Sequence, residues 1–355
     1  MLRVKQNLLQ RLRQARTQAD LHEFLQAAIQ LEHSTIPPYL TALYSLQPGS
    51  NPAVAQIITS IVREEMLHMT IAANLLVALG GKPHFAAPGF VPSYPGPLPM
   101  QVDDDLQVGL LPCSKSLIYD TFMRIEQPTE PLRLPLKGGG TSDYPAASSG
   151  EYPTIGDFYA ALLRMLESMP VTWGPASAQV TPETTQSQWF RVTDWFPITS
   201  LDDAKRAVNI IVSEGEGATN APTDDDGDPA HFYRFGEIYY GAKLIQPQPA
   251  SWSYTGLDVK FDESQVFPMT PNAKAAMYPV GTRARKLVDE FNQAYMQILL
   301  GLDTVFRGQP QRLNTVLGLM YQLRILAYEV LTQPDPNDTA HGTGLTFEYV
   351  PQVVS

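Results

Sequence analysis

Two polar residues interrupt the apolar seam of one helix, and they restrict what this chain can become more than any other feature. The periodicity predicts a helix from Asn51 to Gly80. Its inward stripe reads Ile58, Ile61, Glu65, His68, Ala72, Leu75, Leu79, in steps of three and four. Only Glu65 and His68 are polar. A buried carboxylate and imidazole cost several kcal/mol unless something compensates them. Glu-x-x-His places both on one face, one turn apart, as in carboxylate-bridged di-metal bundles.

Three further segments offer matching acids. Between Ala19 and Ser45, Leu21, Leu25, Ala28 and Glu32 share a face, so Glu32 also takes a core position. The Pro37-Pro38 pair is expected to kink this helix. Ser116 to Gln127 carries Ile118, Tyr119, Phe122 and Glu126, and is stopped by Pro128. Thr199 to Glu216 has Thr199 or Ser200 as cap, Asp202 and Asp203 in its first turn, and an inner face of Ala207, Ile210, Ile211 and Glu214. Here the repeat of Glu-x-x-His fails, because position 217 is glycine. The next histidine is His231, beyond an acidic loop from Asp224 to Asp228, and it is expected to fold back toward Glu214. The expected metal ligands are Glu32, Glu65, His68, Glu126, Glu214 and His231, in an all-α four-helix bundle.

Each residue has a plainer reading. Glu65 and His68 could be a buried hydrogen-bonded pair without metal. Glu32 could face solvent if the helix changes phase near Pro37. Glu126 lies at a helix end, where carboxylates are commonly solvated. Glu216 looks outward, beside Val212 and Asn209, yet competes with His231 to complete the site. Glu64, four residues before His68, is a second-choice ligand. His33 points away from Glu32. His22, His84 and His341 lack carboxylate partners in sequence. The Asp224–Asp228 run lacks the spaced ligands and closing glutamate of a calcium loop, which favours a solvated turn. The metal reading rests on four core-face glutamates coinciding with one correctly spaced histidine.

The runs Leu31-Glu-His-Ser-Thr-Ile-Pro-Pro-Tyr-Leu40, Arg63-Glu-Glu-Met-Leu-His68, Ile211-Val-Ser-Glu-Gly-Glu-Gly217 and His231-Phe-Tyr-Arg-Phe235 resemble the ferritin-like domain of iminophenyl-pyruvate dimer synthases, the family named for the violacein-pathway enzyme. The resemblance covers about residues 15–240. The closing Gly344-Leu-Thr-Phe-Glu-Tyr349 is similar to free-standing members. It implies a ferritin-like bundle and an amino-acid-derived imine or related small metabolite as substrate class. Many members are single-domain proteins without an assigned reaction, and the named synthase is a much longer chain.

Composition narrows the chemistry. A formal net charge of -11 opposes binding to nucleic acid and to anionic membranes. With one cysteine, Cys113, no intramolecular disulfide and no thiolate cluster can form. Oxygen and imidazole ligands remain, which suit two iron ions, with manganese as the alternative. The sequence has no apolar run of about 18 residues and no continuous apolar segment after the early arginines, so neither a membrane span nor a secretory signal is expected. A cytoplasmic location is the default expectation.

Proline-rich residues 81–112 and irregular residues 128–155 separate the helices, and a helix is expected from Ile155 to Ser168. Residues 186–198 are aromatic and β-prone, which predicts a short strand or hairpin arm. Residues 241–280 read as irregular, followed by helices at about 283–307 and 310–332. The expected division is a bundle with insertions at 15–240 and a C-terminal unit, 241–355, whose helical hairpin packs on it. Two function classes follow. One is a di-iron oxidase or oxygenase using dioxygen and a small-molecule substrate in a pocket shaped by the insertions 81–112 and 186–198. The other is a metal-binding or structural module of a biosynthetic complex without turnover. A homo-oligomer is compatible with either.

Overall fold

The structure is a computed structural model that describes residues 6–101, 106–145, 155–217, 221–249, 251–338 and 340–351. The helices are α1 (Gln6–Leu12), α2 (His22–Ser45), α3 (Pro52–Ala78), α4 (Lys115–Leu117), α5 (Met123–Ile125), α6 (Ile155–Ser168), α7 (Pro182–Thr185), α8 (Leu201–Glu216), α9 (His231–Tyr240), α10 (Arg283–Phe306) and α11 (Leu313–Thr332). A π-helical turn, Ile118–Phe122, joins α4 to α5. The fold is all-α: a ferritin-like four-helix-bundle core with long insertions and an extra C-terminal helix pair. One small antiparallel pair, β1 (Ile245–Gln248) with β2 (Ser251–Ser253), matches Ile245 to Ser253 and Gln248 to Ser251.

The long pair α2 and α3 forms the spine. Helix α3 is buried on nearly every side, from Leu67 through Ala73, because α2, α8, α9 and α10 all pack on it. That explains its high overall apolarity: a helix surrounded by protein needs no polar face. Helix α2 runs unbroken through Pro37 and Pro38. A proline at 38 leaves the Ser34 carbonyl without its intrahelical donor. The hydroxyl of Tyr94 supplies that donor at 2.7 Å, from the proline-rich insertion. Gln26 and Gln30 bind backbone groups of His84, Gly89 and Phe90, so this insertion is strapped along α2.

Helix α8 begins as its sequence requires: Ser200 Oγ accepts from Asp203 N at 3.1 Å, with Asp202 and Asp203 in the first turn. It ends at Gly217, whose φ is +88°. A β-carbon there would lie 2.8 Å from the Ala221 carbonyl oxygen. Histidine therefore cannot occupy position 217 without strain, and the chain makes a turn around Asp224 before re-entering at α9.

Residues 186–198 contain no strand, contrary to the sequence expectation; they form turns. Among the contacts that hold them, Trp195 Nε1 donates to Val180 O at 2.6 Å, and Arg63 Nη2 donates to Trp189 O at 2.7 Å. The two described strands lie instead within 241–280. Helices α10 and α11 pack as a pair, α10 on α3 and α11 on α2, and their buried side chains belong to the same apolar core as the bundle. The closing segment is clipped to α10 by Asn292, whose Oδ1 accepts from Thr346 Oγ1 at 2.8 Å and Glu348 N at 2.9 Å.

Candidate metal centre

Two groups of ligand atoms lie between α2, α3, α5, α8 and α9. One comprises Glu32, Glu65 and His68; the other comprises Glu65, Glu126 and His231, and within each group the ligand atoms lie within 4.8 Å of one another. Glu65 is common to both. Glu32, Glu65, His68 and His231 are buried, and the Glu126 side chain retains 10 % exposure.

The two groups are built alike. His68 Nδ1 faces Glu32 Oε2 at 3.8 Å, while its Nε2 donates to Glu214 Oε2 at 2.9 Å. His231 Nδ1 sits 2.8 Å from Glu65 Oε1 and 3.6 Å from Glu126 Oε2, while its Nε2 donates to Glu64 Oε2 at 3.0 Å. Each ring thus turns Nδ1 inward and anchors Nε2 on an outer carboxylate, which fixes tautomer and orientation for a metal-ligating imidazole. Each outer carboxylate meets an arginine: Arg191 Nη2 lies 3.5 Å from Glu214 Oε1, and Arg234 Nη1 donates to Glu64 Oε1 at 2.9 Å. Arg191 also reaches Asp194, Asp226 and Asp228, so the acidic loop helps to hold it. Tyrosines hold the terminal acids. Tyr159 donates to Glu32 Oε1 at 2.9 Å, and Tyr39 donates to Glu126 Oε1. Thr35 Oγ1 donates to Glu65 Oε2 at 2.8 Å.

The structure therefore brings all six expected residues to one place but gives Glu214 a different neighbour. It belongs to neither ligand group and lies behind His68, because its position near the end of α8 meets the outer edge of the imidazole. Glu64 has the matching position behind His231. His231 is the first residue of α9, which is how it returns to the core without completing a second Glu-x-x-His. Glu126 sits one residue beyond α5, just after the π-turn; such turns reset helix phase and recur at functional sites. Glu216 does not look outward. It lines the cavity beside Glu126, and burial raises its pKa. His33 points away, to Tyr295.

The electrostatics ask for a cation. Burial, with the neighbouring Glu65 charge, outweighs His68 and pushes Glu32 up to about 7. His231 is raised well above its ordinary value: burial opposes this, and the carboxylates of Glu126, Glu64 and Glu65 prevail. Burial also works against Glu64, but His231 and Arg234 hold it down at about 2. His231 Nδ1 is fully buried without a hydrogen bond, despite its proximity to Glu65. Once this nitrogen gives up its proton, its lone pair would face the converging carboxylates, an arrangement that fits a divalent metal better than a protein partner. The donor set is oxygen and imidazole throughout, which suits iron or manganese.

A cavity of about 50 Å³ adjoins the carboxylates, with Ile125, Gln127, Ile155, Ile211, Val212 and Glu216 among its walls. Among the described residues, the insertions 81–112 and 186–198 contribute nothing to these walls; they pack on the outer faces of α2 and α3 instead. The sequence offered no sign of Arg191, Arg234, Tyr39 or Tyr159 as partners of the site, although the core-facing phase of Tyr39, seven residues after Glu32, was available.

No helix among the described residues is long and apolar enough to cross a membrane. Among curated proteins, none matches the chain. A solved structure of a ferritin-like protein from Caulobacter vibrioides superposes with a TM-score of 0.58 at 22% identity, covering 92% of this chain and 97% of that one. At that identity the likeness concerns the fold. The sequence profile of the family described as Ferritin-like matches residues 25–240, more than half of the chain and the whole span of the metal centre. The chain belongs to the ferritin-like family.

Proposed function

We propose that this protein is a di-iron oxidoreductase, an oxidase or oxygenase that uses dioxygen to transform a small amino-acid-derived metabolite, as the resemblance to iminophenyl-pyruvate dimer synthases suggests. The observation that carries the reading is the sharing of Glu65 between two like-built ligand groups. A single structural metal would need only one of them.

Glu32 and His68 would hold one ion, Glu126 and His231 the other, and Glu65 would bridge them. When bound, a pair of iron ions supplies the redox chemistry toward dioxygen. The chain supplies the rest. Glu214 and Glu64 orient the imidazoles, Tyr159 and Tyr39 fix the terminal carboxylates, and Thr35 fixes Oε2 of Glu65. Ile125, Ile155 and Ile211 give the adjoining cavity an apolar side that limits water at the acids.

A second reading, metal binding without turnover, draws support from the size of that cavity. About 50 Å³ has room for a few water-sized molecules rather than a whole metabolite. The test is oxygen uptake by protein reconstituted anaerobically with ferrous iron, with and without a panel of aromatic and aliphatic amino-acid-derived imines. The enzyme reading expects uptake faster than that of free ferrous iron and further accelerated by at least one substrate, with loss of both effects in Glu65→Ala. Equal rates with every substrate would favour the non-catalytic reading.

A further inference from the structure

The two imidazoles of the candidate centre are anchored by ion pairs of different kinds. Behind His231, the Glu64 carboxylate accepts from Arg234 Nη1 at 2.9 Å and from Arg234 Nη2, and Nη1 also donates to Ser60 Oγ at 3.1 Å. Every member of that anchor stands on α3 or α9, and the Arg234 side chain keeps 10 % exposure. Behind His68, Glu214 Oε1 meets Arg191 Nη2 at 3.5 Å. Arg191 stands outside the helices, in the insertion 186–198, with 48 % of its side chain exposed. Its guanidinium also serves Asp194 at 2.6 Å, Asp226 at 3.1 Å and Asp228 at 3.6 Å, the last two more than half exposed.

A bidentate guanidinium between two packed helices holds its carboxylate in one geometry. A half-exposed guanidinium shared among four carboxylates holds each of them less firmly, and salt screens it. The outer carboxylate fixes the ring that ligates the metal, so its own restraint is felt in the affinity for the ion in front of it. We infer that Arg191 is a positioning residue for the Glu32–His68 group, acting through Glu214, and that the ion held by this group is the weaker, exchangeable member of the pair, while the ion held by Glu126 and His231 is retained. The inference rests on the di-metal reading of the site. Residues 186–198 then serve the centre from behind, by carrying Arg191 to Glu214, rather than by lining its cavity. The turn from Asp224 to Asp228 serves it through the same arginine.

The test is anaerobic equilibrium titration of the full chain with ferrous iron, with bound and free metal both measured. The wild type should bind two equivalents of unequal affinity. Raising sodium chloride from about 0.05 to 0.5 M should weaken the looser equivalent more than the tighter one. Arg191→Met should weaken the looser equivalent by about tenfold and leave the tighter one unchanged. The sign separates positioning from charge: loss of a positive charge near the centre would by itself tighten the binding of a cation. In a Glu214→Ala background the same substitution should have no further effect, because the residue it acts through is gone. Fewer than two equivalents bound by the wild type would overturn the di-metal reading together with this inference. With two equivalents bound, equal affinities or equal salt sensitivity in the wild type would overturn the inference alone. So would unchanged or tighter binding in Arg191→Met, equal weakening of both equivalents, or a loss that persists in full beside Glu214→Ala.

Discussion

The imidazole rings of His68 and His231 stack 5.4 Å apart at an interplanar angle of 24°, one carried by α3 and the other by the first turn of α9. Both present Nδ1 to the acid cluster and both anchor Nε2 on a glutamate. The candidate metal centre is therefore two similar halves built from dissimilar segments, and each half can be disturbed separately.

Removing an outer carboxylate should weaken one half. Glu214→Ala frees the His68 ring, and Glu64→Ala frees the His231 ring. Each should lower the affinity for one equivalent of metal by roughly 10–100-fold while the other equivalent is retained. Metal titration under anaerobic conditions reads this directly. Equal weakening of both equivalents in either variant would contradict the division into halves.

Arg234→Met should destabilise the fold as well as the site. It leaves Glu64 without its guanidinium partner, and breaking a fully buried pair costs about 3–5 kcal/mol. Glu64 retains 25 % side-chain exposure, so the expected loss is smaller, about 2 kcal/mol. Urea unfolding of the metal-free protein checks this, and a loss within experimental error would show that Glu64 is solvated there.

The metal-free protein should lose stability on the alkaline side. Folding raises Glu32 from an ordinary 4.5 to about 7, so its contribution is fully present below about 4.5 and disappears as pH rises through about 7. His68 and His231 are also raised, and their contributions vanish as pH climbs through their folded values, above the ordinary 6.5. Bound metal replaces those protons, so metal affinity should increase over the same range. Thermal melts of metal-free and metal-loaded protein between about pH 5 and 9 should diverge as pH rises. Parallel curves would contradict the assignment of Glu32 to the centre.

Tyr94→Phe isolates the proline argument. It removes the donor to the Ser34 carbonyl and should cost about 1 kcal/mol by chemical denaturation. No change in stability would mean that the carbonyl freed by Pro38 does not depend on that hydroxyl.

Much of this centre is legible in the sequence, for a physical reason. A glutamate at a core phase of an amphipathic helix stands out against apolar neighbours, which makes Glu32, Glu65, His68 and Glu214 visible. Periodicity reports that a side chain points inward but not which atom it meets. It therefore cannot separate Glu214, behind His68, from Glu32, in front of it. Glu64 ranks only as a second-choice ligand in the sequence for a related reason: α3 is enclosed on several sides, so it has no single inward stripe, and adjacent residues 64 and 65 can both serve the site. Arg191 and Arg234 reach the site through ion pairs between segments distant in sequence, which leave no local pattern. The failure at Gly217 marks the end of α8, and the turn that follows delivers His231 on a separate helix.

Anomalous diffraction at the iron edge, from crystals of anaerobically reconstituted protein, tests the shared role of Glu65 most directly. The expected result is two iron peaks about 3.5–4 Å apart, one beside Glu32 and His68 and the other beside Glu126 and His231, with Glu65 between them. A single peak, or two peaks of which neither contacts Glu65, would contradict it.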